Sequence, residues 1–79
     1  MSHTEINETI SLHNRLIILS ARVNKHAQRV HELSLVEQFV SDNKHLYNYP
    51  HQHLSNIERK KSMHEGQIKL LKSYINTLR

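Results

Sequence analysis

The chain has 79 residues, of which 37% are hydrophobic, 5% aromatic and 23% charged, with one Gly, one Pro, no Cys and a formal charge of +4. The absence of Cys excludes disulfides and every Cys-containing metal site. One Gly and one Pro leave too few turn positions for an all-β fold. At this length a single core supplies only ~3–5 kcal/mol without staples, so the expectation is one helical domain over residues 1–79, all-α in class.

The N-terminus, Met1-Ser2-His3-Thr4-Glu5, shows no basic region leading into an apolar one, so no signal peptide is expected. The longest apolar run is Leu16-Ile17-Ile18-Leu19, far short of the roughly 18 residues a membrane span needs. These features predict a cytoplasmic protein without membrane contact.

The first long element is read over about residues 4–40. Positions 12, 16, 19, 23, 26, 30, 33, 37 and 40 follow a three-four repeat and read Leu, Leu, Leu, Val, His, Val, Leu, Glu, Val. That spacing places them on one helical stripe. Ser2 with Glu5 forms a capping-box pattern at its start. The same pattern at Ser34 with Glu37 predicts an alternative, a break near residue 34. A short third helix near 35–47 would then follow.

Residues 41–53, rich in Asn and His and holding Pro50, are read as the connection. Leu46, Tyr47 and Tyr49 are expected to pack back from it. The second helix is read over about residues 54–78, from the Ser55–Glu58 capping pair. Positions 57, 61, 64, 68, 71, 75 and 78 read Ile, Lys, His, Ile, Leu, Ile, Leu.

A turn centred near Tyr47 folds the two stripes into a long antiparallel, coiled-coil-like helical hairpin. Facing residues then have numbers that sum to about 94. Leu19 falls opposite Ile75, Val23 opposite Leu71, His26 opposite Ile68 and Glu37 opposite Ile57, with Lys61 close enough to Glu37 to pair. His26 and His64 are the imidazoles of the seam, and their protonation below about pH 6.5 is expected to loosen it.

The N-terminal half of the first helix carries more apolar residues than one partner helix covers. Leu12, Leu16 and Leu19 lie on the seam, Ile6, Ile10 and Ile17 on the adjoining face, and Ile18 further round. Large uncovered apolar patches mark interaction sites. The candidate partner-binding set is therefore Ile6, Ile10, Leu12, Leu16, Ile17, Ile18 and Leu19. Arg15, Arg22 and Arg29, spaced by seven, form its polar rim. Across the seam their neighbours would be Lys60, Gln67 and Tyr74, none of them acidic, so pairing within the hairpin does not account for the line.

Enzymatic chemistry is not expected. The chain has no Cys nucleophile, no Gly-rich phosphate loop and no paired-carboxylate cluster. Leu16-Ile17-Ile18-Leu19-Ser20-Ala21-Arg22 resembles the first-helix motif of the helical chorismate mutases over about a dozen residues. The downstream basic and acidic positions that family uses for its dicarboxylate substrate are not recognisable here. His45, His51 and His53 cluster in the connection without a spacing that completes a metal site, so neither metal nor cofactor is expected.

The function read from the sequence is a non-enzymatic protein–protein interaction module: an adaptor, regulator or small chaperone, partnered by another protein or by itself as a homo-oligomer. The alternative is a small basic nucleic-acid-binding protein using the Arg line and the Arg59-Lys60-Lys61 cluster.

Overall fold

A computed structural model describes residues 3–78, with side chains described from residue 10. Two long helices pack against each other: α1 over His3–Asp42 and α2 over Pro50–Leu78, with one 3₁₀ turn at Lys44–Leu46 between them. The molecule is a rod of 66 × 15 × 13 Å. It is the expected antiparallel helical hairpin.

Burial follows the three-four repeat. Leu19, Leu33 and Val40 of α1 and Ile57 and Ile75 of α2 are buried. The other stripe positions from Leu16 onward on α1, and all the others on α2, are half-buried. The largest buried cluster is at the connected end, where Leu33, Val40 and Ile57 meet Tyr47 and Leu54. Three segments converge there, whereas elsewhere only two helices supply contacts.

Two contacts across the seam fix the register. His26 Nδ1 lies 2.8 Å from His64 Nδ1, and Lys61 Nζ donates to Glu37 Oε1 at 3.2 Å. Each is about one turn away from residue-for-residue pairing, in opposite senses, so the mean register stands. A seam residue inserts between two residues of the partner helix rather than opposite one.

The helix ends differ from expectation in several places. No break occurs near residue 34, because the Ser34 hydroxyl donates to the Val30 carbonyl at 3.0 Å, a bond made inside a continuing helix rather than at its start. The third helix over 35–47 is not formed: residues 35–42 are the last turns of α1. Asn43 closes α1, its backbone N–H and its side-chain amide both donating to the Phe39 carbonyl, at 3.0 and 2.9 Å. These bonds satisfy a carbonyl that a helix end leaves without a partner.

The second helix begins at Pro50, not near residue 54. Proline suits the first helical position, where its missing N–H costs nothing and its φ is already helical. The His53 N–H donates to the Tyr49 carbonyl at 3.1 Å, which makes Tyr49 the residue before the helix. Ser55 and Glu58 therefore lie inside α2, and the connection shrinks to residues 43–49. Of its apolar residues only Tyr47 packs back, its ring edge-on to His53 with centroids 5.2 Å apart. Leu46 and Tyr49 are exposed. The Ser2–Glu5 cap lies outside the residues whose side chains are described.

The helices are unequal. At 1.5 Å per residue α1 is about 60 Å long and α2 about 44 Å. Leu78, the last described residue of α2, lies beside about Leu16 in this register, so among the described residues none of α2 lies beside the first turns of α1. Leu12 sits on the seam line yet is 38% exposed.

Candidate partner-binding surface

The structure divides the expected set. Ile10, Ile17 and Ile18 are each a little over half exposed. Leu19 is buried at 6% and Leu16 is half-buried, so both belong to the hairpin seam and are not free for a partner. Leu12 is exposed at 38%, with no described residue of α2 beside it. The side chain of Ile6 lies outside the described residues.

Helical geometry separates the exposed residues further. Ile10 and Ile17 lie on the back of α1, away from α2. Ile18 lies roughly 80–100° round from them. Leu35 and Phe39, both more than half exposed, continue the back face toward the connection. Arg15 and Arg22 bracket Ile18 at three and four residues, and so rim Ile18 rather than Ile10 and Ile17. Arg29 is not unpaired: it donates to Glu32 at 3.1 Å, one turn along the same helix. Exposed pairs of this kind contribute only ~0.3–0.5 kcal/mol.

The two sides of the hairpin differ in chemistry. The residue before each seam position lies on one side, and the residue after each lies on the other. One shallow groove is lined by Lys25, Arg29 and Glu32 of α1 with His26 and His64. On the opposite side, Ser20 and Asn24 share a groove with Lys72 and Asn76, and Gln38 and Ser41 share one with Ser55 and Glu58.

On the first side, α1 presents Arg15, Ile18, Arg22, Lys25, Arg29, Glu32 and Val36, and α2 presents Lys60, Met63, Gln67, Leu70 and Tyr74. Ile18, Val36, Met63, Leu70 and Tyr74 are about half exposed or more. Five cations against Glu32 give this side a formal +4. On the second side α1 presents Ile17, Ser20, Asn24, Ala27, His31, Ser34, Gln38 and Ser41. There α2 presents Glu58, Ser62, Glu65, Lys69, Lys72 and Asn76, whose charges cancel. Of the exposed large apolar residues Ile17 alone borders that second side, where it shares a groove with Ser20 and Asn24.

Val36, Met63, Leu70 and Tyr74 were not among the expected contact residues. Their signal is in the sequence: each immediately precedes a seam residue, as Ile18 does.

The other candidate chemistry is sparse. The His26 and His64 rings are tilted by 44° with centroids 5.1 Å apart. A 2.8 Å contact between two Nδ1 atoms requires one imidazole to donate through Nδ1–H and the other to accept. Among the described residues no group of three or more His, Asp or Glu is placed to hold a metal ion. The Arg59-Lys60-Lys61 cluster is split, since Lys61 turns into the seam to Glu37 with only 17% of its side chain exposed. No described helix is long and apolar enough to cross a membrane. Comparison of the chain with protein-family models, curated proteins and solved structures finds no match to any of them.

Proposed function

We propose that this protein is a non-enzymatic protein-binding module, an adaptor, regulator or small chaperone, that assembles through the outward face of α1 with itself or with another protein. One observation carries the reading. Ile10 and Ile17, on the back of a helix whose seam is already filled, leave apolar surface in water at 54% exposure each. Burying an aliphatic side chain of this size contributes ~1.5–3 kcal/mol, so covering the pair favours association. Among the described residues the hydroxyls of Ser34 and Thr77 bond backbone carbonyls rather than a His, and the sequence has no Gly-rich phosphate loop.

The test is the double variant Ile10→Ser, Ile17→Ser, followed by circular dichroism and sedimentation velocity. The expected result is an unchanged helical spectrum with loss of assembly. Loss of the fold would make these residues core, and an unchanged assembly would place the contact elsewhere. Either result overturns the proposal.

A further inference from the structure

We infer that the basic side of the hairpin is a docking site for an acidic amphipathic helix of another protein, which would complete a three-helix bundle. This rests on the protein-binding reading and gives it a partner of stated chemistry. Two rows border the site: Arg15, Ile18, Arg22, Lys25 and Val36 from α1, and Lys60, Met63, Leu70 and Tyr74 from α2. Between Arg15 and Val36 the site is about 32 Å long, the length of a helix of about 20 residues.

The cations sit mainly on α1, where Arg15 and Arg22 flank Ile18, and the apolar residues mainly on α2, where Lys60 is followed by Met63, Leu70 and Tyr74. Such a surface fits a helix that offers an apolar stripe between two acidic edges. Ile18, Val36, Met63, Leu70 and Tyr74 supply the apolar contacts, at 48–67% exposure in the lone hairpin. Among the described residues Arg22, Lys25 and Lys60 have no carboxylate within salt-bridge distance, which leaves them for carboxylates of the incoming helix. The opposite side of the same two helices has one exposed large apolar residue, Ile17 at its border, and no net charge.

A second copy of the chain does not suit this site. A two-fold contact places a patch against itself, and here that sets a formal +4 against a formal +4, which is repulsive. A nucleic acid suits it less, because phosphate-binding surfaces are polar as well as cationic. The row of half-exposed Ile, Val, Met and Leu would remain in water beside a phosphate backbone.

The probe is a fluorescein-labelled synthetic peptide of three heptads, with Leu at the first and fourth positions and Glu at the fifth and seventh. Controls are the same peptide with Lys for Glu, a scrambled version with no amphipathic face, and a labelled DNA duplex. Fluorescence anisotropy is expected to show binding of the Glu peptide alone. The variant Arg22→Glu, Lys25→Glu should weaken it by at least about tenfold. Ile18→Ser, Leu70→Ser should weaken it to a similar extent, since both residues are exposed and the fold survives their loss. Ile10→Ser, Ile17→Ser should leave it unchanged.

Equal binding of the Glu, Lys and scrambled peptides would overturn the inference. So would preferential, steeply salt-dependent binding of the DNA, which would make phosphate the ligand. If no peptide binds while Ile10→Ser, Ile17→Ser still breaks assembly, the acidic-helix site falls and the protein-binding reading stands. If the Glu peptide binds as inferred while that variant leaves assembly intact, the α1 back-face reading falls and the site stands.

Discussion

Ile18 and Leu19 are adjacent aliphatic residues with opposite fates, at 53% and 6% exposure. Replacing each by Ala in dilute protein separates seam from surface. Leu→Ala in a core costs about 2–5 kcal/mol, least where the surroundings can close over the gap. A two-helix seam is open on both sides and closes readily, so Leu19→Ala should cost about 2–3 kcal/mol. Against a total stability of ~3–5 kcal/mol for a chain of this length, that is half or more. At about 4–8 °C per kcal/mol, the midpoint should fall by roughly 10–20 °C. Ile18→Ala trims a side chain that is already about half in water and gains the better helix propensity of Ala, so it should stay within about 0.5 kcal/mol of the parent. Thermal and urea unfolding followed by circular dichroism reads both. Equal destabilisation by the two variants would refute the placement of Ile18 outside the seam, and with it the division of α1 into a buried stripe and an open side.

Other consequences follow from single contacts. Gly66 lies inside α2 with nothing within 4 Å of an added Cβ, so Gly66→Ala should raise stability by about 0.5–1 kcal/mol in urea unfolding. Lys61→Ala leaves the half-buried Glu37 carboxylate without its partner and should cost about 1–3 kcal/mol. Replacing both partners by Leu should recover that loss in the same assay, because neither charge is then left in the seam.

The seam was legible because a buried stripe has to recur every three or four residues, and His26, Glu37, Lys61 and His64 keep that spacing although they are polar. The helix ends were less legible. A Ser–Glu pair three residues apart reads as a cap, but the Ser34 hydroxyl bonds backward to Val30 inside a continuous helix. Pro50 reads as a breaker, yet it opens α2. In each case the local pattern is compatible with two positions in a helix, and only tertiary packing selects one. The surface was legible in part. Exposure of Ile10 and Ile17 follows from spacing, whereas Leu19 was counted as surface because the depth of the seam depends on α2. Met63 and Leu70 precede seam residues just as Tyr74 does, so their place on the side of the Arg line was legible, and they were missed because the expected surface was drawn from α1 alone.

The chain has no Cys, so a single introduced thiol reports on one position. Alkylation rates of Ile17→Cys and Leu19→Cys test the central claim, that α1 leaves an apolar back face open for assembly while its seam is filled. In dilute protein Ile17→Cys should react near the rate of a free thiol, and Leu19→Cys should be slower by about tenfold or more, reacting only through local opening. As the protein is concentrated or its partner is added, Ile17→Cys should become protected. Equal rates for the two thiols in dilute protein, or an Ile17→Cys rate that neither concentration nor partner alters, would contradict the account.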